Sequence, residues 1–208
     1  MLHTETVESG TLSLLRKLMA MPSLKLFSLV GGTALSLKYG HRSSIDLDMF
    51  LHEKFDVTSI ETELKMIFGK EFSYESGHNN IGIFCYIQRI KVDIVYFPHP
   101  PIEKIEEVDN IRMYSIADIS AMKIQSILGR AKKKDFWDLY ELLQHYSLQQ
   151  LMDWHTKKYP SQMLAISIPN AITYFLEADN SETPESFKGQ TWEKVKNGIK
   201  KVVSDYLR

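Results

Sequence analysis

Short apolar runs dominate the first hundred residues, and each has the length and composition of a β-strand. In residues 45–51 apolar and acidic side chains alternate, as they do in a strand that buries one face. The turn at residues 77–80 predicts a hairpin, and Asp56 or Thr58 is suited to cap a helix. The predicted strands cover residues 24–30, 45–51, 71–76, 81–88 and 91–97. The predicted helices of this half cover residues 4–20, 33–39 and 57–68.

The second half of the chain has the period of amphipathic helices throughout. Ser115 and Asp118 form a pattern that resembles a capping box, and Pro169 is expected to kink or split a later helix. The predicted helices cover residues 115–128, 134–146, 148–157, 162–177 and 191–206. We therefore expect an α+β fold with an α+β domain over residues 1–100 and a helical domain over residues 101–208.

Composition narrows the class of protein without naming a function. The 208 residues carry a formal net charge of −1, so no overall basic field indicates nucleic acid, although a local basic patch remains possible. The single cysteine, Cys85, excludes an intrachain disulfide and a multi-cysteine zinc site. With no signal-peptide pattern and no apolar run of membrane-spanning length, we expect no membrane association and a cytoplasmic location.

A glycine turn and a pair of aspartates suggest phosphate chemistry. Gly31, Gly32 and Thr33 follow an apolar strand and open a helix, where backbone N–H groups and a hydroxyl can bind phosphate. Asp46 and Asp48 lie on one face of the next strand, and paired carboxylates suit Mg²⁺. Each motif alone has a simpler interpretation, as a ligand-free turn or as a solvated strand face. Their order along the chain favours a metal-dependent enzyme that handles nucleotides.

Asp93 is a third candidate carboxylate, within a strongly apolar strand. A charge there needs a metal or a partner to offset its desolvation. If this strand lies beside the first aspartate pair, three carboxylates would converge on one site and could hold two metal ions. Alternatively, Asp93 pairs with Lys91 or Arg89, or is exposed on an edge strand.

Five charged residues in the helical half form the last candidate group: Lys123, Arg130, Lys134, Asp135 and Asp138. Cations suit the charge of a triphosphate and of its pyrophosphate leaving group. On spacing alone, an ion-pair network along a solvated helix is the favoured interpretation. Gly129 is expected to interrupt any continuous helix between the first three of these residues.

Other catalytic motifs are absent from the sequence, including HExxH, GxSxG and the Walker phosphate-binding loop. Arg42, just ahead of the aspartate pair, could bind the phosphates, or it could be an ordinary surface loop residue. His41 beside it is more typical of a turn than of a general base.

Taken together, these segments resemble the AbiEii/AbiGii abortive-infection family of nucleotidyltransferases, in order and spacing, from about residue 24 to residue 145. The matching segments are Leu29–Leu35, His41–Phe50, Lys91–Ile94, Lys123, Arg130 and Lys134–Tyr140. Carried over residue by residue, the resemblance gives metal ligation to Asp46 and Asp48 and triphosphate binding to residues 31–33.

The resemblance also implies a polymerase-β-like nucleotidyltransferase fold with a mixed sheet and a C-terminal helical domain. It implies an NTP donor, Mg²⁺ or Mn²⁺ as cofactor, and RNA, notably tRNA 3′ ends, as acceptor. It implies the toxin of a toxin–antitoxin or phage-defence pair, with a cognate antitoxin protein. In such an enzyme Lys123 would contact phosphate, Asp135 or Asp138 would orient it, and Arg130 would bind nucleotide or acceptor.

Two other functions fit the same residues. The first keeps the fold and the reaction but transfers the nucleotide to a protein or a small molecule. The second is a nucleotide-binding module that catalyses no reaction. A glycosyltransferase with a DxD motif is less favoured, because it has no use for the glycine turn or for Asp93.

Overall fold

A computed structural model of the chain describes residues 1–75 and 81–208, and the described residues form one seven-stranded mixed sheet with helices. Along the sheet the strands run in the order β3-β4-β5-β2-β1-β7-β6. Their bounds are β1 Ser28–Val30, β2 Leu47–Leu51, β3 Phe72–Tyr74, β4 Gly82–Ile87, β5 Ile90–Tyr96, β6 Glu106–Val108 and β7 Ile111–Met113. The hairpin turn predicted at residues 77–80 lies outside the described residues.

Most helices follow the predicted pattern, with ends that differ by a few residues. In the described residues they are α1 Ser9–Ala20, α2 Gly31–Tyr39, α3 Val57–Phe68, α4 Ile116–Gly129, α5 Lys133–Leu142, α6 Leu148–Lys158, α7 Ile168–Ala171, α8 Leu176–Asp179 and α9 Trp192–Tyr206. Asp56 caps α3 by accepting from Thr58 N and Ser59 N, and the Ser115 hydroxyl caps α4, so both predicted caps are confirmed. The helix predicted at residues 162–177 is split into two, in agreement with the expected effect of Pro169, which lies in the first turn of the short α7. Residues 162–167, predicted to be helical, lie outside any helix.

The centre of the sheet places the predicted carboxylates on neighbouring strands. Strand β2 pairs antiparallel with β1 and parallel with β5. In this register Asp48 faces Asp93 across the β2–β5 pair, and Val30 faces Asp48 across the β1–β2 pair. The last residue of β1 therefore lies beside the aspartates, immediately before the glycine turn.

Strands β6 and β7 were not predicted, and they extend the sheet beyond residue 100. Strand β7 joins it by a parallel pairing of Leu29 with Met113. The two strands are joined by Asp109 and Asn110, whose φ angles of 53° and 61° are those of a two-residue hairpin turn. The sheet thus includes strands from both sides of the proposed domain boundary, and the division at residue 100 stays a prediction.

A continuous hydrophobic core joins the sheet to the helices that follow it. Helix α4 packs on α2, α5 and α6, so the helical half is attached directly to the helix that follows the glycine turn. Lys158 and Asp118 are buried at this junction, with Nζ and Oδ1 2.6 Å apart. None of the helices in the described part of the chain is long and apolar enough to cross a membrane.

Candidate active site

The glycine turn makes room for two charged side chains. Gly31 has φ +72°, and a Cβ there would lie 2.5 Å from Oδ2 of Asp48. A Cβ on Gly32 would overlap the guanidinium of Arg42. Packing against Asp48 and Arg42 thus accounts for both glycines without a bound ligand, as the simpler interpretation of the turn proposed. The turn also leaves the N-terminus of α2 without a side-chain cap, so its backbone N–H groups remain available to an anion.

Thr33 is held within the turn by hydrogen bonds of its hydroxyl group. It is almost fully buried, and its hydroxyl donates to the Asp46 carbonyl oxygen and lies 2.9 Å from Oγ of Ser44. Its observed contact fixes the backbone just before β2, where the first aspartate lies. The expected phosphate contact of Thr33 stays a prediction.

Asp48 and Asp93 form the acidic centre of the site. Burial and the neighbouring Asp48 raise the pKa of Asp93 to about 6, and burial also raises the pKa of Asp48. Lys91 Nζ lies 3.8 Å from Oδ2 of Asp93, whereas Oδ1 is buried with no hydrogen-bond partner in the described part of the chain. The ion pair with Lys91 therefore satisfies only one side of this carboxylate.

Asp46 lies at the rim of the site and already has a partner. Its Oδ2 is 3.1 Å from Nζ of Lys134, and both side chains are about one-third exposed. To bind a metal ion, Asp46 would have to exchange this ammonium for the cation.

The acidic centre fits a metal ion that arrives together with a nucleotide. Across residues 1–75 and 81–208, no group of three or more metal-ligating side chains encloses a cation site. Mg²⁺, however, commonly takes one or two protein carboxylates and completes its shell with phosphate oxygens and water. The unpartnered oxygen of Asp93 and the raised pKa values of the pair are what two carboxylates awaiting a cation would show.

Behind this centre lies a buried ion-pair network around Asp138. Arg42 donates Nε to Oδ1 at 2.6 Å and Nη2 to Oδ2 at 2.8 Å, and His41 Nε2 lies 2.8 Å from Oδ1. Lys123 Nζ is 2.8 Å from Oδ2 of Asp138 and 3.2 Å from Oδ1 of Asp135. Although burial opposes ionisation, Arg42 and Lys123 hold the pKa of Asp138 well below its usual range.

This network changes the interpretation of two predicted site residues, Arg42 and Asp138. The expected ion pairs exist, but they are buried between α4 and α5 instead of lying along a solvated helix, and α4 ends at Gly129 as predicted. The side chain of Asp138 is fully buried and that of Arg42 nearly so, and they are committed to each other. Phosphate binding, one of the two interpretations of Arg42, stays a prediction, as does the orienting role that the resemblance gives to Asp138. His41 belongs to the same network, and sequence analysis missed it.

The cleft in front of the carboxylates is the candidate site for a nucleotide. It has a volume of about 420 Å³ and lies between the sheet and one face of α4. Lys123 reaches it from behind, and Arg130, whose side chain is about half exposed, stands at its edge with Nε 3.7 Å from Oδ2 of Asp135. Sequence analysis missed Gln125 and Ser126, which also line it. Ser126, three residues after Lys123, could have been identified from the helical period, whereas Gln125, two residues after it, could not.

A second cleft, of about 480 Å³, is lined by Asp46 and Lys134. One of its walls is the loop at residues 182–185. This loop is fixed by backbone hydrogen bonds, from Ser43 N to Glu185 O at 2.9 Å and from Phe187 N to His41 O at 3.0 Å. The C-terminal part of the chain therefore contributes to the rim of the site.

The site combines carboxylates on adjacent strands with a glycine turn beside them and with lysines on α4 and α5. This combination is typical of a nucleotidyltransferase. The sequence matches the family described as the nucleotidyl transferase AbiEii toxin, type IV toxin–antitoxin system, over residues 13–162, and the chain belongs to this family. The predicted family, the α+β fold class and the enzyme class are thus confirmed.

One protein is similar to this chain in sequence, and two solved structures are similar to it in fold. The uncharacterized protein aq_aa25 of Aquifex aeolicus (strain VF5) is 31% identical over 199 residues, 93% of this chain and 94% of that protein. The fold is similar to that of MenT4, the nucleotidyltransferase toxin Rv2826c of Mycobacterium tuberculosis H37Rv, with a TM-score of 0.59 and 16% identity over 93% and 84% of the two chains. JHP933 from Helicobacter pylori has a TM-score of 0.54 and 16% identity over 95% and 92%.

Proposed function

We propose that this protein transfers a nucleoside monophosphate from an NTP to RNA, at the 3′ end of tRNA, with Mg²⁺ or Mn²⁺ as cofactor. In this proposal it acts in the cytoplasm, where its substrates are found, as a toxin controlled by a cognate antitoxin. The observation that carries the proposal is the pairing of Asp48 with Asp93, since both residues line a cleft of nucleotide size and, within the described residues, one carboxylate oxygen of Asp93 has no hydrogen-bond partner.

The residues around the cleft have distinct tasks in this reaction. Asp48 and Asp93, joined by Asp46 once it releases Lys134, would hold the divalent cation, which neutralises phosphate charge. Lys123 and Arg130 stabilise the negative charge that develops on the leaving pyrophosphate.

The buried network keeps Lys123 charged and fixed, because its pKa is raised by Asp138 and Asp135 in spite of burial. The acceptor hydroxyl oxygen bonds to the α-phosphorus, the bond to pyrophosphate breaks, and the hydroxyl proton passes to solvent.

A transfer assay tests the proposal directly. Purified protein is incubated with Mg²⁺, total tRNA and each labelled NTP in turn, beside an Asp48→Asn variant. An Asp205→Asn variant is the matched control, since it removes one exposed carboxylate on α9, away from the cleft. We expect label in tRNA with the native protein and with the control, and a loss of at least a hundredfold with Asp48→Asn.

Other outcomes would replace this proposal. Label in protein bands or small molecules would retain the enzyme and change the acceptor. Nucleotide binding without pyrophosphate release, with Mn²⁺ also tried, would favour a binding module. Full activity of Asp48→Asn would show that the acidic centre is not the site of reaction.

A further inference from the structure

Lysines from two helices that are distant in sequence meet on one surface outside the cleft. Lys133 at the start of α5 and Lys196 on α9 both approach the ring of Trp192, with Nζ 6.0 and 5.4 Å from its centroid. Lys200, one turn further along α9, lies 5.7 Å from the ring of Phe175, which packs edge-on against Trp192. We call Lys132, Lys133, Lys196 and Lys200 the basic ridge.

The basic ridge begins at the active site. Lys134, the next residue after Lys133, pairs with Asp46, and both residues line the second cleft. Arg130, just before the ridge in sequence, lines the nucleotide cleft. A molecule lying on the ridge would therefore have its nearer end beside the reacting groups.

Two carboxylates offset part of the charge on the ridge, and one of them, Asp179, is attracted to Lys133 as well as to Lys196. Lys196 is paired with Glu193 at 2.8 Å and Asp179 at 3.5 Å. For Lys132, Lys133 and Lys200, no carboxylate within the described ranges comes within 4.0 Å. Because the whole protein has a net charge of −1, this local excess of positive charge is not a general property of its surface.

The position of the first two lysines is also unfavourable for the fold itself. Lys132 is the N-cap of α5 and gives it no side-chain hydrogen bond, and Lys133 follows in the first turn. Cations at a helix N-terminus oppose the helix dipole, and a surface patch that is locally unfavourable in this way fits a polyanionic partner.

We infer that the basic ridge binds the phosphate backbone of the acceptor RNA and directs its 3′ end into the site. This inference rests on the proposed function. The ridge contacts backbone more than bases, because the Trp192 ring is flanked by the two lysines and its Nε1 donates to Asp179 at 2.6 Å. Binding along the ridge is accordingly expected to depend on charge and not on RNA sequence.

The test removes two ridge charges and leaves the cleft intact. The variant Lys133→Gln/Lys200→Gln is compared with Lys17→Gln/Lys54→Gln, which removes two exposed lysines on the opposite half of the chain. We expect the KM for tRNA to rise about tenfold in the ridge variant, with the KM for NTP unchanged. The slope of log KM for tRNA against log salt concentration should fall by about 1.4 to 1.8, the contribution of two phosphate contacts.

The outcomes separate this inference from the proposed function. Equal KM values for tRNA and equal salt slopes in the two double variants would overturn the ridge while leaving transfer to RNA in place. If the native protein labels no RNA, binding of tRNA to the Asp48→Asn protein is measured instead. Weakened binding in the ridge background then supports the ridge alone, and unchanged binding overturns it. If the ridge variant loses binding of polyglutamate but binds tRNA as the native protein does, the inference of an RNA partner is overturned in favour of an acidic protein.

Discussion

Asp138 offers the sharpest test of how the site is built. Replacing it with alanine removes the carboxylate that holds Arg42 and Lys123 in the interior. Breaking a buried ion pair by removing one partner costs about 3–5 kcal/mol, because the remaining charge is left buried without compensation. Here two cations lose the same partner, with only Asp135 left near Lys123, so we expect the upper part of this range.

Urea unfolding followed by circular dichroism measures this loss. With a slope of about 2–3 kcal/mol per molar urea, the midpoint should fall by about 1.5–2 M. The corresponding loss of unfolding free energy is a large share of the roughly 5–15 kcal/mol typical of folded proteins. Asp138→Asn keeps the shape and loses the charge, so it should be destabilised almost as much. Asp48→Asn should unfold at or above the native midpoint, since it relieves repulsion from Asp93. A midpoint shift below about 0.3 M for Asp138→Ala would refute the organising role of the network.

Two further predictions follow from single positions. Gly31→Ala should lower transfer at least a hundredfold by displacing the Asp48 carboxylate, whereas Gly10→Ala, with open space around its Cβ, should keep full activity in the same assay. His155 is buried, which lowers its pKa to about 4, so it contributes stability above pH 6.5 that is lost as the pH falls towards 4. Between pH 7 and pH 4 the native protein should lose up to about 3 kcal/mol more unfolding free energy than His155→Gln, and parallel curves would contradict this.

Local sequence identified both strands of the acidic centre but not their pairing. The alternating pattern around Asp46 and Asp48 indicated a strand with one polar face, and the apolar run around Asp93 indicated a second strand. Convergence of the carboxylates was predicted only on the condition that the two strands are neighbours, and the pairing of β2 with β5 meets that condition for Asp48 and Asp93. The strands β6 and β7 were not predicted, because each has only three residues, too few to show an alternating pattern. The Asp109–Asn110 turn between them was a usable signal of a hairpin.

The network around Asp138 could not be read from the sequence. Its ion pair with Arg42 joins residues 96 positions apart, and no local pattern encodes such a contact. The spacing favoured an ion-pair network for Asp138 but placed it along a solvated helix, and Arg42 was interpreted as either a phosphate-binding residue or an ordinary surface loop residue. Burial alone distinguishes the two roles, and burial is a property of the folded chain.

The loop at residues 182–185 has a consequence for the order of folding. It is hydrogen-bonded to residues near position 43, about 140 positions earlier, and it lies beyond the segment that matches the family. Contacts of such long sequence separation form late, since the entropy of closing the intervening chain must be overcome first. A chain still being synthesised thus carries the carboxylates of the candidate site before it has the loop that forms a wall of the second cleft. The complete rim exists only after residue 187 has been made and the C-terminal part has docked.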